Sequence, residues 1–373
     1  HLFNYTSGHV KIISSMELIL CNNQQLQKTT HYVGQHRCYE IKIDNGKIFS
    51  HKFDYVESNV NEYTITNAVG ISGSRSHHYF GIIKDQNYYF QEWSKGCKPA
   101  RTDSDFWKKL PVKNTVVETK FDIDNKNTIK FNEPVNLLFS INAYWHWFCE
   151  DLPLFKFLRT NSYKIVTNKL SSWQRESISF FPDIAERIVE VETPAVIESP
   201  EYHLFSKPDG GAGRNASWVT KFLKENFKPS ANYKPNKKIY ISRNDAQARA
   251  VDNEQEVKEF LSAKGFELYD NFAQYSLQQK IDIFNQAQLV VSPTGANLCH
   301  CYAMQPHTTV IDFNHRFLLT NEHWYNNIGD ASSLKWKTFA AATGKKNVRP
   351  RERNRNLIVD LNTLNDTIKN AGF

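Results

Sequence analysis

Apolar and polar residues alternate over short stretches through the first 120 residues. Tyr39 to Ile43, Lys47 to Phe53, Tyr79 to Ile83 and Asn87 to Phe90 follow that period of two, with Asp-Asn-Gly and Lys-Asp-Gln turns between them. These stretches predict β-hairpins. From about residue 134 the pattern changes. An apolar run from Val135 to Phe139 precedes a helix-like stretch near 144 to 158, a strand Lys164 to Thr167, a helix near 172 to 181 and a strand Arg187 to Val191. Strand and helix now alternate, which predicts a parallel sheet wrapped by helices. Pro208 to Gly213 and the Pro, Asn and Lys-rich stretch 228 to 236 predict a domain junction.

The next 80 residues carry the clearest periodicity. Lys238 to Arg243 reads as a strand, and Asn253 is expected to cap a helix with Val257, Phe260 and Leu261 at one-turn spacing, ended by Gly265. A second strand, Phe266 to Tyr269, leads to Ser276 and Gln279, a capping box that opens a helix with Leu277, Ile281 and Phe284 on one face. Leu289 to Ser292 is a short buried strand that breaks at Pro293-Thr294-Gly295-Ala296-Asn297 into a further helix, and Thr309 to Phe313 is the fourth strand. The series is β-α-β-α-β-α-β, a Rossmann-type half-domain. No tandem repeat is present.

Composition narrows the class. The chain has 373 residues, about two domains' worth. Its mean hydropathy is -0.56, and no apolar run nears the ~20 residues of a membrane-spanning helix, which argues against an integral membrane protein. Aromatic residues reach 13% while Gly and Pro number 15 and 13, so collagen-like and disordered classes are excluded. A net charge of +7 suits a phosphate-bearing ligand as well as it suits nucleic acid. Six cysteines with no CxxC pair do not form a disulfide scaffold and are expected to be mostly free thiols. Three Asn-x-Ser/Thr sequons, at Asn4, Asn215 and Asn365, decide nothing about secretion. The first residue, His1, is expected to be preceded by further sequence, where any signal or anchor lies.

Three groups of residues carry candidate chemistry. On a helix over 144 to 152, His146 and Glu150 share a face one turn apart, and a carboxylate beside an imidazole among Trp and Phe side chains suits a general base for a hydroxyl; a structural His-Glu pair is the alternative. Thr294, Gly295, Ala296 and Asn297 lie at the carboxyl end of a parallel strand and the start of a helix, where free N–H groups and small residues favour a phosphate; a tight turn without a ligand is the alternative. Arg243 and Arg249 lie on the same carboxyl-terminal edge and offer guanidinium forks to a diphosphate. Asp312 ends the last strand of the half-domain, placed either to accept hydrogen bonds from a ribose or sugar hydroxyl or to serve as a cap or salt-bridge partner. Cys299-His300-Cys301 cannot close round one zinc, because consecutive helical residues point about 100° apart. Gly210 to Gly213 reads as a flexible linker, and His77-His78 as an exposed turn.

Together these residues resemble glycosyltransferase family 61. The family's His-Trp/Phe-x-x-Asp/Glu-x-Leu-Pro segment appears as His146-Trp147-Phe148-Cys149-Glu150-Asp151-Leu152-Pro153. Its Ile-Ser-Arg, basic and Asn-Glu elements appear as Ile241-Ser242-Arg243, Arg249 and Asn253-Glu254. Its Pro-His/Thr-Gly-Ala turn and following strand appear as Ser292-Pro293-Thr294-Gly295-Ala296 and Pro306 to Asp312. Thr294 in place of the usual His resembles the bacterial or viral branch; Asp312 shortens the usual Glu, and His300 stands where Asn is common.

The resemblance implies an α/β fold of GT-B type, two Rossmann-like domains facing a cleft, with a β-rich N-terminal segment. Residues 1–120 are expected to be that segment, 121–230 the acceptor-side domain, 231–350 the nucleotide-sugar-binding domain and 351–373 a C-terminal helix. It further implies an inverting glycosyltransferase without an obligatory metal or other cofactor, using a nucleotide-sugar donor, expected to be a UDP-sugar, and a glycan acceptor. Glu150 or His146 is then the base, with Trp145 and Trp147 offering faces to the acceptor; Arg243, Arg249, Thr294, Gly295, Ala296, Asn297 and Asp312 bind the donor. No nucleic-acid partner is expected, the basic run from Lys345 to Arg355 reading as a solvated face. Location would be cytoplasmic for a bacterial or viral protein and the Golgi or ER lumen for a eukaryotic one. Two readings compete: a non-catalytic glycan- or nucleotide-binding module on the same fold, and a hydrolase, which needs a second acid across the scissile bond.

Overall fold

In the computed structural model the described residues are 10–12, 27–44, 48–56, 60–66, 69–72, 80–84, 87–90, 117–119 and, from 128 onward, all but 139, 141, 193–194, 209–215, 247, 316–324 and 345–354. Before residue 128 the side chains described are those of 29–35 and 60–66. The sequons at Asn4 and Asn215, the pair His77-His78, Gly210 to Gly213 and the basic run up to Arg353 lie outside the described residues. The chain divides into two compact units, residues 1–34 with 58–211, and 35–57 with 212–373.

The first unit is built on a six-stranded sheet in the order Ile188–Val191, Lys164–Asn168, Val135–Leu137, Glu201–Phe205, Val60–Thr66, Gln27–Tyr32. The first four strands pair in parallel and the last two add antiparallel. Strand Val135–Leu137 is buried throughout, as expected of a parallel strand covered on both faces. It packs with Val166, Val191, Tyr202 and Leu204 in the core of this unit. A five-stranded sheet, ordered Thr128–Lys130, Ala195–Glu198, Val69–Ser72, Phe80–Lys84, Asn87–Phe90, belongs to the same unit. The predicted hairpin near 79 to 90 is present in it, with Phe80–Lys84 antiparallel to Asn87–Phe90.

In the second unit the parallel strands run Glu267–Tyr269, Lys237–Ile241, Ala287–Pro293, Thr309–His315, Lys335–Thr343. All seven residues of Thr309–His315 are buried, which marks it as a central strand. Around it Tyr240, Val291, Ile311, Phe313 and Phe339 form the core with Val257 and Leu261 from the helix Glu254–Ala263. The predicted hairpin at 39 to 53 is present as His36–Asp44 against Ile48–Val56. Its first strand pairs in parallel with Lys335–Thr343, so this early segment completes the sheet of the second unit.

Local signals hold where they act through the backbone. Ser276 opens the helix Leu277–Gln286, its hydroxyl accepting the Gln279 N–H at 3.2 Å while Gln279 Oε1 accepts the Ser276 N–H at 2.8 Å. Gly265 ends the preceding helix at φ +77°, the left-handed conformation that favours glycine. Asn253 differs from expectation. Its side chain makes no cap and is turned to Val359, donating to the carbonyl at 2.9 Å and accepting the N–H at 3.0 Å. That pair of bonds ties down the approach to the C-terminal helix Leu361–Lys369, itself capped by Asp360.

Candidate active site

Each unit presents its candidate residues at the carboxyl ends of its parallel strands. In the first unit, the chain leaves Val135–Leu137 and enters a helical segment that changes pitch three times: an α turn at Tyr144–His146, a π turn at Trp147–Asp151, a 3-10 turn at Leu152–Leu154, then α again at Phe155–Leu158. Pro153 has no N–H to donate to the Cys149 carbonyl, and the N–H of Leu152 reaches back five residues to Trp147. The widened turn is of the kind that clusters at functional sites. On it, His146 Nδ1 and Glu150 Oε1 are 2.8 Å apart, as the one-turn spacing predicts. The imidazole is 30% exposed and the carboxylate 1%.

Asp151, the next residue, turns to a different set of partners. Its Oδ2 accepts the Ser140 hydroxyl at 2.5 Å, Ser140 Oγ accepts Gln174 Nε2 at 3.2 Å, and Oδ1 contacts the ammonium of Lys207. Lys207 is buried. Burial pushes its ammonium down to about 8, and the Glu150 charge acts the other way. Nothing in the local sequence marks Lys207, which lies 56 positions from Asp151 and reaches it only through the fold.

The aromatics beside this pair divide. Trp145 keeps 8% of its surface and stands edge-on to the His146 ring at 5.2 Å. Trp147 is completely buried, its indole N–H donated to Ser177 at 2.7 Å and its rings edge-on to Phe155 and Trp173. It has no open face for a sugar, which corrects the expectation drawn from the motif: its ring is packed among Ser177, Phe155 and Trp173 inside the unit.

In the second unit, strand order reverses between Lys237–Ile241 and Ala287–Pro293, whose connecting helices diverge there. This is the switch point at which open α/β sheets bind ligands. Arg243 follows the first strand and Thr294-Gly295 the second, so the fold brings together candidates 51 and 52 residues apart in sequence. Tyr240 and Ser242 hold the end of the strand by donating to Glu254 Oε1 at 3.0 and 2.6 Å. Arg243 donates from Nε to the Ala248 carbonyl at 3.0 Å and lays its guanidinium against Gly295, where a Cβ would overlap Nη1. Gly295 is extended, φ -165°, so the glycine is required by this close approach and not by its backbone angle. Burial and the neighbouring Arg249 charge push the Arg243 guanidinium down to about 10, still charged at neutral pH. Arg249 has φ +61°, a left-handed conformation costing a non-glycine residue about 1–3 kcal/mol. The positive charge of Arg249 acting on Arg243 favours an anion near them.

After Gly295 the chain forms a 3-10 helix, Ala296–Ala303, in place of the expected α-helix, with no side-chain cap at its start and with Ala296 and Asn297 half-buried. Thr294 and Asp312 are turned inward. The Asp312 carboxylate accepts Thr294 Oγ1 at 2.6 Å, Thr338 Oγ1 at 2.5 Å and Trp336 Nε1 at 2.9 Å. In place of the cap or salt bridge considered from the sequence, three of its about four acceptor sites are taken by neighbouring side chains. Burial pushes its pKa up against those bonds.

Residues 144–311 match the family model of Glycosyltransferase 61. Both candidate groups, His146 with Glu150 and Arg243 with Gly295, lie within the matched stretch. No curated protein matches the chain. The mixed α/β architecture, two sheet-bearing units and β-rich N-terminal segment are consistent with a two-domain fold of GT-B type. Among the described residues no helix is long and apolar enough to cross a membrane, and no group of three or more His, Cys, Asp or Glu is arranged to hold a metal ion. Cys299, His300 and Cys301 are buried; the His300 ring packs near Phe284 and Tyr302, and burial pushes both thiols up, away from the thiolate a metal needs. Of the basic run, Arg355 is described, and its guanidinium is held by the Gly344 carbonyl at 2.8 and 3.1 Å.

Proposed function

We propose that this chain is a glycosyltransferase that moves a sugar, with inversion, from a UDP-sugar to a hydroxyl of a glycan acceptor. The observation that carries the reading is the Arg243 guanidinium laid against Gly295 at the switch point with the Arg249 charge acting on it, a site where an anion offsets positive charge. The diphosphate lies against Arg243, Arg249 and the uncapped N–H groups of Ala296 and Asn297. Thr294 and Asp312 brace the turn from within.

The acceptor hydroxyl attacks the anomeric carbon from the face opposite the leaving UDP. One carbon–oxygen bond forms as the bond to the β-phosphate oxygen breaks, and the hydroxyl proton passes to the base. Of the two groups open from the sequence, exposure favours His146 as that base. Glu150 lies almost wholly inside and holds Nδ1–H, which leaves the Nε2 lone pair for the proton. Trp145, edge-on to the imidazole, is the acceptor-side aromatic. The negative charge that develops on UDP is stabilised by the two arginines.

A panel of UDP-, GDP- and CMP-sugars assayed for transfer and hydrolysis tests the reading. Glu150→Gln is expected to keep nucleotide affinity and lower turnover by ~10² or more. Nucleotide binding without turnover of any donor would favour the non-catalytic module. Failure to bind any of the nucleotides would refute the donor site.

A further inference from the structure

Taking Arg243 and Gly295 as the proposed donor site, we infer that Trp336 is a positioning residue for it: the indole N–H fixes the Asp312 carboxylate, the carboxylate fixes Thr294, and Thr294 sets the place of Gly295 against the Arg243 guanidinium. Asp312, Trp336 and Thr338 all lie beyond the stretch matched by the family model, which ends at residue 311. Parallel register puts Asp312 of the strand Thr309–His315 opposite Thr338 of the strand Lys335–Thr343. Both are buried, on the face turned away from the core formed by Val291, Ile311, Phe313 and Phe339. A central parallel strand normally reads as a continuous apolar run, and a carboxylate buried in one is costly unless donors surround it. Asp312 has three of them.

The donors are divided between the two oxygens. Oδ1 accepts Trp336 Nε1 at 2.9 Å and Thr338 Oγ1 at 2.5 Å, whereas Oδ2 accepts Thr294 Oγ1 at 2.6 Å. The last torsion of an aspartate is soft and its carboxylate is planar, so two donors on Oδ1 set where Oδ2 points. Thr294 has one hydroxyl proton and a second acceptor in reach, the Phe313 carbonyl at 3.2 Å, and the placement of Oδ2 decides between them. The next residue is Gly295, and a shift of the turn there carries it away from the guanidinium that lies against it. The other end of the indole is located separately. A Cβ on Gly329, in the helix Asn326–Ala331, would overlap Trp336 Cε3 and lie 3.1 Å from Cζ3. The ring therefore rests on that helix while its N–H reaches Asp312.

Trp336→Phe removes the indole N–H and is expected to weaken UDP binding, measured by isothermal titration, about tenfold or more. In a Thr294→Val background, where the link is already cut, the same change should weaken it no further, and additive losses would overturn the inference. Amide hydrogen exchange reads the turn without any nucleotide, because the Thr294 N–H is donated to the Phe313 carbonyl at 2.9 Å. In Trp336→Phe the protection of that amide should fall about tenfold or more while Val290 and Val310 keep theirs. A merely structural role would lower all three together, and that result, like unchanged exchange at Thr294, would overturn the inference. Gly329→Ala pushes the indole aside with every polar group retained and should give the same selective loss; failure of both variants to fold would show a structural role and overturn it too. If Thr294 exchange responds but the unaltered protein does not bind UDP, the donor reading fails while the placement of the turn by Trp336 stands. Equal UDP affinity in the unaltered protein and in Trp336→Phe would overturn the positioning role with the donor site intact.

Discussion

Replacing Gly295 with Ala tests the proposed donor site through a single methyl group. The added Cβ would overlap Arg243 Nη1 and come within 3.0 Å of Cζ and 3.2 Å of Cδ, so the guanidinium must leave its position as a block. The backbone is extended and accepts alanine without strain. The cost to folding is then little more than the Arg243–Ala248 hydrogen bond, about 1 kcal/mol. The cost to donor binding is larger. A charge-assisted hydrogen bond is worth about 1.5–3 kcal/mol, and losing the Arg243 contact with a phosphate should remove about 2–3 kcal/mol, or roughly a 30- to 150-fold weakening of UDP affinity. Isothermal titration with UDP measures the affinity and thermal unfolding the stability. Arg243→Met should show the same loss, and the double variant little beyond either single one, because both changes remove one contact. A Gly295→Ala protein that binds UDP as the unaltered chain does would refute the reasoning, as would full additivity in the double variant.

Further predictions follow from other parts of the molecule. Arg249→Gly relieves the left-handed backbone, so thermal stability should hold or rise while UDP affinity falls about tenfold; unchanged affinity would place Arg249 outside the donor site. Asp312→Ala leaves Thr294, Thr338 and Trp336 donors without their buried acceptor and should cost about 3 kcal/mol in urea denaturation, a change under 1 kcal/mol counting against the network. In the first unit, Glu62 bridges His203 Nδ1 and His31 Nε2, each at 2.6 Å, and His203 Nε2 contacts Glu201 at 2.8 Å. The bond from His203 holds Glu62 below its ordinary 4.5, while His203 is raised above 6.5 because its bonds to Glu62 and Glu201 outweigh burial. The Glu62 contribution is lost as pH falls through its lowered pKa, and that of His203 as pH rises through its raised one. The loss of melting temperature in Glu62→Gln should be largest between 4.5 and 6.5, and a pH-independent loss would show that the pair does not titrate.

Much of this protein follows from short-range pattern. Strands such as Leu289-Val290-Val291, the capping box at Ser276 and Gln279, the stop at Gly265 and the face shared by His146 and Glu150 are set by interactions within a few residues, and each is present where the sequence places it. The motif residues Arg243 and Gly295 were also legible, since both follow buried strands. What the sequence did not decide is which partner a polar or aromatic side chain meets across the fold. Trp147 lies in the His146 motif yet is consumed by Ser177, Phe155 and Trp173; Asp312 ends a strand yet is filled by Thr294, Thr338 and Trp336; Asn253 leaves its helix for Val359. The hairpin at residues 36–56 pairs with Lys335–Thr343, and Lys207 meets Asp151 because Leu204 stands opposite Leu137. A helix's period is fixed by bonds four residues apart, whereas sheet register and the partners of buried charges are fixed by the least costly way to cover every polar group at once, which exists only when the whole unit is folded.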